Sequence, residues 1–338
     1  MAHDAFIQLL HWLAHVFGLI KSLLFLPASF LSVWVLGATL ALSALWYRYG
    51  GKRVRSWRVL RRALFRRHHF TGRSARADQL MTVLNHLVFT TGFVAALLGL
   101  GALAATIRHG LAELTGVSQM FAIAPWAAQA ITTVFAFLAY EFAYYTNHRM
   151  MHQVPFLWHF HKVHHTAETL SPLVNFRVHP VDAYIFTAFN VAAAGAMLGL
   201  CRWLFGAAAV PATVNGVNLV LVVAIYLFVS LQHTQVWMPF TGRLGRTLLS
   251  PAHHQLHHSI DPRHYHSNYG SVLALADRLF GTLRVPTKAS PQLRFGVNDL
   301  TDDPHSVTGL LIVPCRDAWR ELVPGGAMIA PSAAKQTV

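Results

Sequence analysis

Long uncharged segments constrain this chain more than any other feature of its sequence. The segment from Leu23 to Tyr47 carries no charge, and Leu80 to Ile107 carries none beyond a possible charge on His86. Three further apolar segments follow, Pro125 to His148, Ala183 to Cys201 and Trp203 to Gln232. A helix needs about 20 apolar residues to cross a bilayer. The sequence therefore predicts several membrane-spanning helices, of which the last two form a hairpin.

The overall composition agrees with a membrane protein. Of the 338 residues 54% are hydrophobic and only 12% are charged, whereas soluble domains carry about 25% charge. The two cysteines, Cys201 and Cys315, are far apart and predict neither a disulfide framework nor a thiolate site. The region from Met1 to Ile20 lacks the basic start and cleavage site of a secretory signal, so we expect it to be retained as an interfacial helix.

Basic residues set the predicted orientation in the membrane. Eleven of the 27 basic residues lie between Arg48 and Arg76, directly after an apolar segment. Such clusters stay on the cytoplasmic side and bind anionic headgroups, so the net charge of +14 does not require nucleic acid. Counting spans from this loop places His148 to Asp182 and His233 to Val338 in the cytoplasm. Four spans with a re-entrant hairpin would give the same sidedness.

Histidines are concentrated and regularly spaced in the two predicted cytoplasmic segments. Fourteen of the 22 histidines lie in the windows from His148 to His179 and from His233 to His266. Three sets have the helical spacing i, i+4 or i, i+3, i+4, which projects each set from one helical face. These sets are His148 and His152; His161, His164 and His165; and His254, His257 and His258.

Metal ions would explain this clustering. Buried imidazoles need partners for both ring nitrogens, and a metal ion on one nitrogen with an acceptor on the other meets that need. Imidazole is a ligand for iron, zinc and copper. Eight ligands exceed what one ion uses, so the sequence predicts two neighbouring ions. No cysteine and few carboxylates accompany these histidines, which argues against a thiolate site and against a carboxylate-rich di-iron bundle.

Three histidine motifs resemble those of a known superfamily. They read His148-Arg-Met-Met-His152, Leu157-Trp-His-Phe-His161-Lys-Val-His164-His165 and Ser250-Pro-Ala-His-His254-Gln-Leu-His257-His258-Ser. With the downstream runs Asn268-Tyr-Gly and Asp277-Arg-Leu-Phe-Gly-Thr282, they resemble the fatty acid hydroxylase and sterol desaturase superfamily over residues 141–282. Two positions depart from the family pattern: His266 stands where relatives often carry an acid, and Ala276 replaces the usual tryptophan before Asp277.

The resemblance implies a specific chemistry. Members of this superfamily hold two iron ions at the cytosolic end of a helical bundle. They use O2 with electrons from a cytochrome b5-like protein or from a ferredoxin and its reductase. They hydroxylate, desaturate or cleave lipid or sterol-like substrates, and the sequence leaves open which of these applies. By this resemblance the metal ligands are His148, His152, His161, His164, His165, His254, His257 and His258, with His233 as a ninth.

Two further residues are candidates for a supporting role. Glu141 lies seven residues before His148 on the same predicted helical face, and an acid within an apolar span is costly. We expect Glu141 either to orient a ligand imidazole or to reach the headgroups or an arginine. By the resemblance, His179 is either a supporting residue or a ligand. Whether His253, His264 and His266 touch a metal is left open.

The prediction is an all-α, integral-membrane bundle of about four to six spans, with a cytosolic helical cap that carries a histidine-rich di-metal site. We divide the chain into N-terminal spans (1–120) with a basic loop (48–76), a catalytic region (121–285) and a cytosolic tail (286–338). We expect the bacterial cytoplasmic membrane rather than the endoplasmic reticulum. The alternative function is a histidine-rich membrane metal (zinc) transporter or metal-binding protein. Transporters, however, carry polar residues near mid-membrane, and the centres of these spans are nearly free of them.

Overall fold

The computed structural model describes residues 24–50, 56–64, 68–300 and 302–323, together with a few positions before residue 23. Most side chains of residues 57–69 and all side chains of residues 87–98 also lie outside the described part. Much of the predicted basic loop and the expected N-terminal interfacial helix therefore lie outside the described residues.

The described part is mostly helical. Its α-helices are α1 (Val33–Leu45), α2 (Trp57–Leu64), α3 (His68–Thr71), α4 (Arg73–Thr115), α5 (Pro125–Gln153), α6 (Pro155–His165), α7 (Pro180–Phe205), α8 (Leu219–Leu227), α9 (Gly242–Gly245), α10 (Pro251–His257), α11 (Leu275–Leu279), α12 (Val307–Leu311) and α13 (Val313–Leu322). Shorter helical turns cover Trp46–Gly50, Pro172–Phe176, Gly206–Ala208, Val229–Leu231 and Pro262–His264. The described strands, β1 (Thr213–Val214) and β2 (Val217–Asn218), form one antiparallel hairpin.

Helix α7 packs against both α4 and α5, and the three form the main helical layer. Two glycines on α7 allow its close approach to α4. A Cβ added at Gly199 would lie 2.7 Å from the Ala104 carbonyl oxygen, and one at Gly195 would lie 3.0 Å from the Leu103 side chain. Small residues four apart let helix backbones approach in this way. The apolar core that joins α1, α5 and α8 includes Val35, Phe137 and Ile225.

The fifth apolar segment is not the continuous helix that a spanning segment would require. Within Trp203 to Gln232, α7 ends at Phe205, the β-hairpin follows, and α8 contains only nine residues. At 1.5 Å per residue α8 is about 14 Å long, which is roughly half of a hydrocarbon core. Asn218 ends β2 and caps α8 by accepting from Val220 N, which fixes this break.

Among the described residues, Pro180–Ala208 is the one helical segment long and apolar enough to cross a membrane by length and composition. The predicted bundle of four to six spans is therefore not confirmed, and the number of crossings stays a prediction. The uninterrupted lengths of α4 and α5, 43 and 29 residues, are compatible with crossing.

The C-terminal segment folds back on the helix that carries the second histidine motif. Helix α13 packs on α6, and Ser259 forms an isolated antiparallel bridge with Phe295. The Arg177 guanidinium is fully buried and donates to Asp78 Oδ1 at 2.9 Å and to the Pro304 carbonyl oxygen at 3.2 Å. This network joins α4, the chain after α6 and the C-terminal segment. The boundary predicted at residue 285 stays a prediction.

Candidate metal centre

Helix ends bring the histidine motifs together. His148 and His152 lie in the last turns of α5, and Pro155 begins α6 two residues after α5 ends. Proline is favoured at the first turn of a helix because its missing N–H has no partner there. The chain therefore turns sharply and carries the second motif back towards the first. Helix α10 carries the third motif, and its cap, His258, completes that motif.

The nine predicted histidines form two compact groups. Group one contains His148, His152, His161, His165 and His257, and group two contains His164, His233, His254 and His258. In each group, one ligand atom per residue lies within 4.8 Å of every other. The two groups are adjacent, since the His165 and His258 rings are stacked with centroids 4.5 Å apart. Each of α6 and α10 therefore contributes side chains to both groups.

Group two has the spacing expected of ligands around one ion. The Nε2 atom of His233 lies 2.9 Å from that of His254 and 3.1 Å from those of His164 and His258. Four nitrogens arranged tetrahedrally at about 2.0 Å from an ion would be about 3.3 Å apart. Neutral imidazoles have only one N–H each, so a cation is a better partner for these converging lone pairs than the rings themselves.

Acceptors on the outer nitrogens orient several of these rings. The Nδ1 atom of His161 lies 2.8 Å from Asp182 Oδ2, and that of His233 lies 2.9 Å from Asn175 Oδ1. Carbonyl oxygens of Tyr269 and Ser267 lie 2.9 Å from the Nδ1 atoms of His148 and His257. An acceptor on Nδ1 keeps its proton there and leaves the Nε2 lone pair for a metal.

Inward-facing nitrogens in group one support the same conclusion. The Nε2 atoms of His161 and His165 are buried and have no hydrogen-bond partner in the structure. Leaving a buried polar atom unsatisfied is costly, and a metal ion would satisfy both. The donor set consists of imidazoles alone, which suits iron, zinc or copper. The described residues therefore fit two ions, one in each group.

Electrostatics favour the neutral, ligating form of the rings. Burial lowers the pKa of His164 and His165 well below the usual value, and neighbouring imidazoles lower the pKa of both further. The same two causes, burial first, lower the pKa of His254 and His258. A metal binds the deprotonated imidazole, so the environment prepares these side chains for binding near neutral pH.

The structure gives the remaining candidate histidines other roles. His179 caps α7, its Nδ1 accepting from Val181 N, while its Nε2 lies 3.1 Å from the Leu311 carbonyl oxygen. His253 forms a capping box with Ser250 at the start of α10. His264 and His266 lie outside both groups. His179 is thus a helix cap that contacts the C-terminal segment, rather than a member of either group.

Glu141 does not contact a histidine in the structure. Its carboxylate accepts from the backbone N–H groups of Val272 and Leu273, at a shortest distance of 2.7 Å. Among the residues that the structure describes, Glu141 has neither the expected contact with a ligand imidazole nor the alternative arginine partner. Sequence reasoning also missed the acceptors Asp182 and Asn175. For Asp182 a signal was available, because an acid follows His179-Pro-Val within the same motif.

Comparison with known proteins identifies the region that carries these groups. The fatty acid hydroxylase family model matches residues 133–282. That range includes all nine clustered histidines. The region that contains both histidine groups is therefore similar to the fatty acid hydroxylase family. No solved structure matches the chain.

The curated relatives that this region matches are lipid-modifying enzymes by name. The chain is 29% identical to an alkylglycerol monooxygenase of Xenopus tropicalis over 48% of its length and 32% of that protein. It is 32% identical to the ornithine lipid hydroxylase OlsE of Rhizobium tropici over 48% of its length and 44% of that protein. It is 25% identical to a Delta(7)-sterol 5(6)-desaturase of Aspergillus fumigatus over 54% of its length and 59% of that protein. The alignments thus span about a third to three fifths of these relatives.

Proposed function

We propose that this protein is a membrane-bound di-iron oxidoreductase that uses O2 and supplied electrons to hydroxylate or desaturate a C–H bond of a lipid or sterol-like substrate. The observation that carries the proposal is the division of nine buried imidazoles into two adjacent groups within the fatty acid hydroxylase region. The names of the relatives support an oxidoreductase that acts on lipids.

Iron is the metal that this chemistry favours. A pair of bound iron ions would supply the reduction of O2 and the oxidation of a C–H bond, whereas zinc has no redox chemistry. His148, His152, His161, His165 and His257 would hold one ion, and His164, His233, His254 and His258 the other. Asp182 and Asn175 hold protons on Nδ1 of His161 and His233 and so keep the opposite nitrogens aimed inwards.

The remaining residues around the site exclude water and align the substrate. Burial of both groups keeps the reacting region dry, since eight of the nine histidines are buried and His152 is half-buried. The Tyr144 ring lies edge-on to His148 and to Phe186 of α7, with centroids 5.6 Å apart in each case. We propose that a lipid chain reaches group one from the bilayer side along this aromatic contact.

The proposed location is a cytoplasmic membrane, with the histidine groups on the cytosolic face. The electron donor would be a cytochrome b5-like protein or a ferredoxin with its reductase. The zinc transporter that the sequence leaves open fits less well. Transporters need a polar path with exchangeable sites. The two groups instead form one buried cluster, and acceptors orient the rings of four of its members, His148, His161, His233 and His257.

Metal analysis and oxygen labelling test this proposal. The protein would be produced in iron-replete cells, purified in detergent and measured for bound metals. We expect about two irons per chain and, in cells grown under ¹⁸O2, lipids that carry one labelled oxygen or lack two hydrogens. The variants His257→Gln and His254→Gln should each lose about one iron and abolish the lipid product, because each removes a ligand from a different group.

His109→Gln is the matched control. The His109 side chain is 77% exposed and contacts Glu113 on the same helix, away from both groups. This variant should keep the iron content and the lipid product of the unchanged protein. Zinc as the bound metal, together with reversible zinc flux and no oxygen consumption, would instead support the transporter.

A further inference from the structure

The loop of residues 268–273, here called the Tyr269 loop, supports a ligand of group one through its backbone. The Tyr269 carbonyl oxygen lies 2.9 Å from Nδ1 of His148, and both residues are buried. This acceptor decides which nitrogen of His148 carries the proton and how the ring is turned. The position of one backbone carbonyl therefore bears on the metal-binding geometry of group one.

Asp277 holds the first half of this loop. Its Oδ1 accepts from the backbone N–H of Tyr269 and its Oδ2 from that of Gly270, each at 2.9 Å. The Thr282 hydroxyl donates to Oδ1 at 2.6 Å. Asp277 is fully buried, and hydrogen bonds to an ionised carboxylate are stronger than those between neutral groups.

Glu141 holds the second half of the loop from a different helix. Its carboxylate accepts from the backbone N–H groups of Val272, at 3.1 and 3.2 Å, and of Leu273, at 2.7 Å. Glu141 and His148 both lie on α5, two turns apart. Helix α5 therefore contacts the Tyr269 loop twice. Glu141 accepts from the loop backbone, and His148 contacts the Tyr269 carbonyl oxygen.

Gly270 shows how closely the loop fits its surroundings. A Cβ at this position would lie 2.7 Å from Leu249 Cδ1, 2.8 Å from the Leu273 carbonyl oxygen and 3.0 Å from Asp277 Oδ2. A larger residue would push the backbone away from the carboxylate. The Asn268-Tyr-Gly run and the Asp277 to Thr282 run therefore act together, since one supplies the N–H donors and the other the acceptor and its hydroxyl partner.

We propose that Asp277 and Glu141 are positioning residues that fix the Tyr269 carbonyl against His148 and thereby set the metal affinity of group one independently of group two. The inference rests on the proposed metal binding. Each carboxylate is surrounded by donors, so an amide in its place would turn an NH2 group towards a backbone N–H. The loop would then shift, and His148 would lose its acceptor.

Release of Fe²⁺ to a colorimetric chelator under anaerobic conditions tests the proposal, with the full-length protein in detergent. The variants His257→Gln and His254→Gln, which remove a ligand from group one and from group two, first show which phase of iron release belongs to which group. Asp277→Asn and Glu141→Gln should each accelerate release from group one about tenfold, the lower end of what such supporting contacts contribute. Release from group two should change less than twofold. Thr282→Val, which removes only the hydroxyl that donates to Asp277, should give a smaller acceleration of the same phase.

Asp78→Asn is the matched control because Asp78 is also a buried carboxylate, paired with Arg177 instead of the loop. This variant should lower the thermal stability, and it should change iron release from the two groups by similar factors. The positioning role is wrong if Asp277→Asn or Glu141→Gln accelerates iron release from both groups equally, as a general loss of stability would. It is also wrong if neither variant accelerates release from group one. Failure of the unchanged protein to bind iron would instead contradict the proposed function.

Discussion

Removing the acceptor of His161 gives the sharpest test of the metal centre. The Asp182 side chain is 5% exposed, lies in the first turn of α7, and places Oδ2 2.8 Å from Nδ1 of His161. In Asp182→Ala the ring loses the contact that fixes its proton and orientation. The inward nitrogen, Nε2, then no longer faces group one in a single conformation.

The size of the effect follows from this geometry. Loss of such a contact typically lowers metal affinity about 10- to 100-fold, which corresponds to about 1.4 to 2.7 kcal/mol. Asp182→Ala should approach the upper end because no acceptor remains. Asp182→Asn should lie near the lower end, since an amide oxygen can still accept but carries no charge.

Chelator competition with Fe²⁺ on the purified, full-length protein measures this affinity. The matched control is Asp299→Asn. Asp299 is also an acid beside α6, but it contacts Lys162 at 3.7 Å on the outer face and is 27% exposed. This control should bind iron with unchanged affinity. Equal affinities for Asp182→Ala and Asp299→Asn would refute the argument that Asp182 acts through His161.

Three further predictions concern other parts of the site and fold. Arg177→Met should lower the free energy of unfolding by about 3–5 kcal/mol, because it leaves Asp78 buried without its cation; a loss below about 1 kcal/mol in chemical unfolding would contradict this. Asn175→Leu should weaken iron binding in group two about tenfold by removing the acceptor of His233, with group one unchanged in the same chelator assay. Burial lowers the pKa of His233 to about 3, so the unfolded chain takes up a proton that the folded, metal-free chain does not. His233 alone should therefore lower the free energy of unfolding by up to about 1.4 kcal/mol per pH unit as the pH decreases from about 6.5 towards 3, and chemical unfolding of metal-free His233→Gln should show a pH dependence that is weaker by about this amount.

Local spacing made much of the site predictable. Helical periodicity depends only on neighbours in sequence, so the i, i+3 and i+4 intervals indicated which histidines share a face. The motifs also carried the resemblance to the superfamily, which the comparison with known proteins confirms. The ligand role of the histidines stays a prediction, although the structure brings together all nine that were named.

Long-range contacts could not be read from spacing. Glu141 has the periodicity of a residue that faces His148, yet its carboxylate reaches the backbone of a loop that lies 131 positions later. The apolar length of Trp203 to Gln232 predicted a spanning segment, but local turn chemistry at Asn218 interrupts it. Hydropathy averages over a window and does not detect such a break.

The sequence by itself determined the helical class, the resemblance to the superfamily and the residues that belong to the histidine faces, because each depends on local composition and periodicity. Only the tertiary structure decided how those residues divide between two groups and which acceptors orient them. A single helix such as α6 contributes to both groups, so the division depends on how α5, α6 and α10 approach each other in space. That approach is fixed by packing and by buried polar contacts between distant residues, such as those of Asp277 and Asp182.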